Sequence, residues 1–218
     1  MNPKTAQQKV RCNMMKKILI VSSVLIFCSG CGMYNSHVPT ADYFYLNPDK
    51  NLANYGKVVL VQLDNHSSYP EISADVTSSL FEELQKKQIF SIRLVPQTDP
   101  VWRSLQLDLN SAYTIEQLVT ARKALGCDAV LVGTVTRYSP YPHMMIGLRL
   151  KMIGLDDGHL IWAFEQIWDA SDKKTEYRIK KYLESQTTVR SDTLGQRLVT
   201  MSPLKFLKFV SYEVARTL

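Results

Sequence analysis

The sequence lacks the short motifs that mark the common catalytic and metal-binding sites. It contains no HExxH pattern, no G-x-S-x-G turn, no P-loop and no dinucleotide-binding glycine pattern. Its four histidines, His37, His66, His143 and His159, share no spacing typical of metal ligands. We therefore predict that the protein is not an enzyme and that it holds no metal or other cofactor.

The sequence also lacks an apolar run long enough to cross a bilayer, which takes about 20 residues. The run Ile18–Phe27 is about half that length. It follows Lys16 and Lys17, and it is followed shortly by the small residues Ser29 and Gly30. A basic start, a short apolar centre and small residues at its end are typical of a secretory signal.

The next residue, Cys31, resembles the lipidated cysteine of bacterial lipoproteins. In that family the cysteine becomes the diacylated N-terminus, so the resemblance implies a signal peptide over residues 1–30 and membrane attachment through Cys31. The family usually has leucine where this chain has Cys28. An uncleaved anchor and an ordinary secretory signal are the alternatives. Because Gly32 is not aspartate, the resemblance favours an outer membrane lipoprotein that faces the periplasm.

Acidic residues are absent before Cys31, and this changes the meaning of the net charge. The chain has 26 lysines and arginines against 20 acids, a formal charge of +6. Five of the bases precede Cys31, which leaves 21 bases and 20 acids in the rest of the chain. A nearly neutral mature chain gives no support for nucleic-acid binding, and we predict none. With Cys31 acylated, Cys127 has no partner for an internal disulfide after the leader is removed.

Composition divides the chain into four segments. We expect a signal peptide over 1–30 whose true start is Met14 or Met15, a lipidated tether over 31–55, an α/β domain over 56–171 and a helical extension over 172–218. The tether shows no clear periodicity and would reach about 80 Å at most when extended. We expect its apolar residues 43–46 to dock on the domain.

Periodicity predicts an α/β fold with a mixed β-sheet packed by helices. We expect strands at 57–64, 90–95, 129–135, 145–153 and 159–169, helices at 72–87 and from Thr114 to about Leu125, and two C-terminal helices at 172–185 and from Pro203 onward. Residues 97–110 fit either a short strand or a packed loop. Asp156, Asp157 and Gly158 predict a hairpin turn rather than a pair of catalytic carboxylates. The order is β-α-β-α-β-β-β, with an antiparallel C-terminal meander and then C-terminal helices.

Two of these segments resemble a known family of envelope proteins. Residues 125–135, LGCDAVLVGTV, and 148–166, LRLKMIGLDDGHLIWAFEQ, together with the lipobox, are similar to the outer-membrane lipoproteins that share the periplasmic domain of CsgG. PelC and LpoB resemble that group in fold. CsgG inserts long hairpins into the membrane, but the corresponding connection here is only SPYP, residues 139–142. The resemblance therefore implies a member that does not form a pore.

Aromatic residues at two places are candidate partner contacts. Tyr138 and Tyr141 lie in the proline-rich turn, whose composition is favoured in interfaces. The last helix has more apolar circumference than one packing face requires, so its Phe206 and Phe209 are also candidate partner contacts. Alternatively, the tyrosines pack at the rim of the core, and the helix that carries the phenylalanines covers the sheet and the preceding helix.

The first helix of the extension is rich in bases. These bases either face anionic headgroups or lie on a helix face exposed to water. The second alternative needs no binding partner. The bases are Lys173, Lys174, Arg178, Lys180 and Lys181.

These observations predict a lipid-anchored periplasmic accessory or assembly lipoprotein. We expect it to be a non-pore, oligomeric component of an envelope export or biogenesis system, with the membrane, further copies of itself and envelope proteins as partners. The alternative is a regulatory lipoprotein that binds and activates a cell-wall synthase.

Overall fold

The computed structural model describes residues 43–107, 113–186 and 193–218. These ranges contain seven strands, six α-helices and one short 3-10 helix at Leu52–Asn54. The strands are β1 (Phe44–Leu46), β2 (Lys57–Val61), β3 (Asp64–Asn65), β4 (Ser91–Val95), β5 (Ala129–Ser139), β6 (Met145–Gly154) and β7 (Leu160–Asp169). The helices are α1 (Ile72–Lys87), α2 (Pro100–Ser104), α3 (Ile115–Leu125), α4 (Lys173–Gln186), α5 (Thr193–Met201) and α6 (Pro203–Ala215).

The strands form one mixed sheet in the order β1-β7-β6-β5-β2-β4, with β3 paired to β5. The pairs of β2 with β4, β2 with β5 and β3 with β5 are parallel. The pairs β5–β6, β6–β7 and β1–β7 are antiparallel. This arrangement confirms the predicted α/β fold and its antiparallel meander.

Helices cover the sheet unequally. One core lies between the sheet and α1, α4 and α6, and a smaller core lies between the other face of the sheet and α2 and α3. In β5, Leu131 faces the first core, whereas its neighbours Val130 and Val132 face the second. Strands buried on both faces are typical of sheets covered by helices on both sides, which explains the continuous apolar run of this strand.

Helix α3 begins and ends as its sequence predicts. The Thr114 hydroxyl oxygen accepts a hydrogen bond from the Gln117 backbone N–H, and the Gln117 side chain accepts one from the Thr114 N–H. Gly126 ends the helix with φ of 61°, a conformation that glycine adopts without strain. Leu118, Ala121 and Leu125 form the buried face of the helix, whereas Ile115 in its first turn is 76% exposed.

The prediction of a short strand or a packed loop at 97–110 is wrong for residues 100–104, whereas residues 97–99 and 105–107 lie outside helices and strands. Residues 100–104 form α2, because the Asp99 carboxylate accepts hydrogen bonds from the N–H groups of Val101 and Trp102 and Pro100 occupies the first helical turn. The helix buries Trp102 in the smaller core.

The expected tether and helical extension both contribute to the main body of the protein. Strand β1 pairs with β7, and Leu52 and Tyr55 lie in the larger core with Ile179 and Phe206. All described residues belong to one compact unit. Residues on both sides of positions 55 and 171 therefore pack together in the larger core.

The number of C-terminal helices differs from expectation. Three helices are present instead of two, because residues 193–201 form α5. Ser202 precedes α6, and its side chain makes no capping hydrogen bond. In the described ranges, none of the helices combines the length and hydropathy needed to span a bilayer.

Candidate functional site

The predicted lipidation residue Cys31 lies outside the described residues, so its modification remains a prediction. The second cysteine expected in the mature chain, Cys127, is buried in the smaller core. Burial raises the pKa of the Cys127 thiol to about 11. A thiol in this state is protonated near neutral pH and poorly nucleophilic, so Cys127 has the character of a structural residue.

Phe206 and Phe209, two of the predicted partner contacts, are fully buried in this chain. Their ring centroids lie 6.0 Å apart, and Phe209 also packs against Tyr182 of α4 at 5.7 Å. The physical reason is that α6 packs against the sheet, α1 and α4 at once, so most of its circumference is covered. The expectation that these two side chains offer a surface contact is therefore corrected.

Tyr138 and Tyr141 occupy different environments at the end of β5. Tyr138 is half-buried and meets Tyr69 edge to face, with ring centroids 5.2 Å apart. Burial raises the pKa of Tyr138. Tyr141 is 83% exposed, in a turn where the Ser139 hydroxyl donates a hydrogen bond to the Tyr141 carbonyl at 2.7 Å. Of the four predicted contacts, Tyr141 alone presents most of its side chain to solvent.

The turn that carries Tyr141 forms one wall of an open groove of about 710 Å³. The Ala170 backbone N–H donates to the Met144 carbonyl at 2.8 Å, which holds the end of β7 against the start of β6. The α4 and α5 helices form the opposite wall. The groove is lined by Pro140, Tyr141, Pro142, His143, Met144, Ala170, Ser171, Glu176, Ile179, Arg197, Thr200 and Met201. We call the part of the molecule formed by residues 139–144, 169–174 and 197–205 the turn end.

The groove mixes apolar and charged side chains without a catalytic arrangement among its described residues. His143, Glu176 and Arg197 supply three titratable groups, and no hydrogen bond joins any two of these side chains in the described structure. Hydrogen bonds from the hydroxyl and backbone N–H of Ser171 lower the pKa of Asp169 beside the groove. A surface that mixes apolar and charged side chains in this way is more typical of a protein contact than of a catalytic site.

Sequence reasoning found Tyr141 but not the groove. The wall supplied by α5 was missed, although Leu194, Leu198 and Met201 stand at helical spacing in the sequence and could have indicated a helix. Within the described ranges, no group of three or more His, Cys, Asp or Glu side chains lies close enough to hold a metal ion.

The opposite end of the sheet carries ion pairs instead of exposed apolar groups. We call residues 49–55, 122–128 and 154–159 the polar end. Lys50 pairs with Asp157, whose carboxylate also accepts the His159 backbone N–H at 3.0 Å. Arg122 pairs with Asp128 at 3.2 Å. Burial is the largest influence on the Asp157 pKa and raises it, but the Lys50 and His159 contacts together hold that pKa well below its usual range.

A buried ion pair joins two of the C-terminal helices. Arg178 of α4 pairs with Glu213 of α6, and both side chains are almost fully buried. Arg178 was expected to lie on a solvated basic face, so this expectation is wrong for that residue. The pair links residues 35 positions apart, and no local pattern predicts it.

No protein-family model matches this chain, and no curated protein matches it. Several solved structures are similar to it. PelC from Paraburkholderia phytofirmans, a dodecamer, shares 16% identity over 71% of this chain and 94% of PelC, with a TM-score of 0.42. Lipoprotein GNA1162 from Neisseria meningitidis shares 16% identity over 60% of this chain and 95% of that protein, also with a TM-score of 0.42. The C-terminal domain of LpoB from Escherichia coli shares 19% identity over 56% of this chain and 88% of that domain, with a TM-score of 0.37. PelC and LpoB are thus both among the similar structures, but at these scores the likeness carries no argument about function.

Proposed function

We propose that this protein is a lipid-anchored accessory protein on the periplasmic side of the outer membrane, and that it serves an envelope export or biogenesis system through its surfaces. It acts without catalysis and without forming a pore. The observation that carries this proposal is the short distance along the chain between Cys31 and the first strand of the sheet, which begins at Phe44.

Twelve residues, 32–43, lie between the predicted lipidated cysteine and β1. An extended chain spans at most about 3.3–3.6 Å per residue, so this segment reaches about 40 Å. The expected tether of residues 31–55 would have reached about twice as far. Because β1 is part of the sheet, acylation of Cys31 would keep the domain close to its membrane.

The surfaces of the described residues support a contact role. The groove at the turn end offers the exposed Tyr141 and scattered charges, and the described residues nominate no catalytic group. The connection between β5 and β6 comprises only residues 140–144. A pair of membrane-spanning strands needs about 9–11 residues each, so this short connection supports a non-pore role.

Palmitate labelling in the bacterial cell tests the anchor. We expect label on the wild-type protein and none on Cys31→Ala. Cys127→Ala is the matched control, because it also removes one cysteine but from a buried site, and it should keep the label. Unchanged labelling of Cys31→Ala would contradict the proposal.

Light scattering tests the assembly part of the proposal. We expect the mature protein to form a defined oligomer in detergent, and the domain lacking residues 1–31 to associate more weakly. A strictly monomeric species in both detergent and buffer would contradict assembly. That result would favour the alternative, a monomeric regulator of a cell-wall synthase.

A further inference from the structure

The direction of β1 shows toward which end of the sheet its first residue lies. Phe44 lies opposite Phe164 and Leu46 lies opposite Trp162, so β1 runs against β7. Strand β7 ends at Asp169, in the turn end. Strand β1 therefore begins on the side nearer the turn end and runs toward the polar end, with Tyr43, whose carbonyl accepts the Glu165 backbone N–H at 3.2 Å, on the turn-end side.

A second groove is lined both by Tyr43 and by residues of the turn end. It has a volume of about 430 Å³ and lies along the part of β7 that β1 does not cover. Tyr43, the first described residue, lines it together with Ile167, Asp172 and Lys174. Lys174 lies in the first turn of α4, so a cation stands beside the point where the tether reaches the domain.

Three large apolar side chains at the turn end are exposed. Tyr141 is 83% exposed and Met201 is 77% exposed, and both line the groove between the turn and the helices. Leu204, in the first turn of α6, is 61% exposed. Neighbouring exposed apolar side chains indicate a surface that contacts a protein or a membrane.

Exposed bases lie in the same turn end, which holds Lys173, Lys174, Arg197 and Lys205 against the two acids Asp169 and Asp172. Lys173 and Lys174 begin α4 directly after β7, and Lys205 follows Leu204. Lysine and arginine beside exposed apolar side chains are typical of protein surfaces that rest on anionic membranes. The polar end is different, because its acids Asp128 and Asp157 are paired with bases.

We propose that the turn end rests on the bilayer surface, with Tyr141, Met201 and Leu204 in the interface and Lys173, Lys174 and Lys205 facing lipid phosphates. Only twelve residues separate Cys31 from β1, and β1 begins on the side nearer the turn end, so a membrane is favoured over a protein as the occupant of this surface. The inference rests on the proposed lipid anchor, which would bring this end to the bilayer. It adds an orientation, because the polar end would then point into the periplasm.

A fluorescent label on single introduced cysteines tests the orientation in the acylated mature protein. Met201→Cys places the label at the turn end, and Ala53→Cys places it at an exposed position of the polar end. Because Cys127 is buried, it should remain unlabelled. The protein is reconstituted into vesicles of phosphatidylethanolamine with a minor share of phosphatidylglycerol and a lipid-borne quencher. We expect quenching several-fold stronger at position 201 than at position 53.

A chain that starts at residue 31 and carries Cys31→Ala cannot be acylated at this position. It therefore tests the membrane-binding surface independently of the proposed lipid anchor. Its binding to the same vesicles, measured by sedimentation, should fall about tenfold in the double variant Met201→Ser, Leu204→Ser, because two apolar side chains are lost from the interface. The matched control, Ile115→Ser with Val119→Ser, also removes two exposed apolar side chains and should change binding little.

The possible outcomes are distinct. Palmitate labelling with equal quenching at positions 201 and 53 would overturn the orientation and leave the anchor intact. Loss of palmitate labelling with the tenfold effect retained would overturn the anchor and leave the membrane-binding surface intact. The label at position 201 could instead stay exposed to water in vesicles and be shielded from water only in native envelopes. That result would indicate a protein partner and would overturn the membrane inference.

Discussion

The last helix and the β5–β6 turn both carry aromatic residues that the sequence indicates as possible partner contacts. In the structure these residues differ in how far they are exposed to solvent. Phe206 and Phe209 of α6 are fully buried, whereas Tyr141 of the turn is almost fully exposed. The difference follows from the number of elements that surround each region. Helix α6 lies among the sheet, α1 and α4, whereas the turn projects beyond the last residues of β5.

This comparison shows what an apolar helix means in a layered α/β protein. A helix with one packing face needs an apolar stripe of roughly 100°. Helix α6 also has neighbours at its sides, so its additional apolar residues are covered within the chain. Excess apolar circumference therefore indicates additional packing at least as readily as it indicates a partner.

The largest expected effect is the loss of stability in Phe209→Ala. Removing a fully buried phenylalanine leaves a cavity between α6 and α4, and the free energy of unfolding should fall by about 4 kcal/mol. Leu204→Ala is the matched control in the same helix, because Leu204 is exposed, and it should change stability by less than about 0.5 kcal/mol. Denaturant unfolding measures both. Equal losses in the two variants would show that the helix is not buried as described.

The next effect concerns the buried pair that holds α4 to α6. Glu213→Ala leaves the Arg178 guanidinium buried without its carboxylate partner, and should cost about 3 kcal/mol of unfolding free energy. The exposed pair of Lys181 with Glu184 provides the control, since solvent screens this pair and Glu184→Ala should cost far less than Glu213→Ala. The double variant Arg178→Met, Glu213→Leu should recover much of the loss, because it leaves no unpaired buried charge. A cost for Glu213→Ala as small as that for Glu184→Ala would contradict the burial of the pair.

Elements that a short-range sequence pattern indicates were predictable from the sequence. The alternation of Ile146, Leu148 and Leu150 defines one face of β6, and the Thr114 capping box defines the start of α3. The mixed sheet then follows from the order of strands and helices. These features depend on residues within a few positions of each other.

Features that depend on distant residues were not predictable. The Arg178–Glu213 pair and the pairing of Lys50 with Asp157 join segments that meet only in the folded chain. Helix α2 was missed because five residues are too few to show a helical period. For the candidate site, the sequence identified Tyr141 as a contact residue, but whether an aromatic residue is covered depends on its neighbours in space.

A smaller effect tests how the turn end is held. The Ser171 hydroxyl and backbone N–H bond to the Asp169 carboxylate and lower its pKa. A lowered folded-state pKa contributes stability above the unfolded pKa of about 3.9, and this contribution is lost as pH falls through the folded value. In Ser171→Ala, the pKa of Asp169 measured by NMR titration should rise toward its usual value. An unchanged pKa would show that the hydroxyl has no part in the shift.

The smallest expected effect, in Tyr141→Ala, gives the sharpest contrast with Phe209→Ala. Tyr141 is mostly in solvent and packs against little, so its truncation should change the free energy of unfolding by less than about 0.5 kcal/mol. Tyr138→Ala is the matched comparison two strand positions before the turn, because Tyr138 is half-buried and meets Tyr69 edge to face. That variant should lose about 1 kcal/mol or more. A loss for Tyr141→Ala as large as that for Tyr138→Ala would mean that the turn packs on the body of the protein, and Tyr141 would then share the structural role of Phe209 instead of being available for contact.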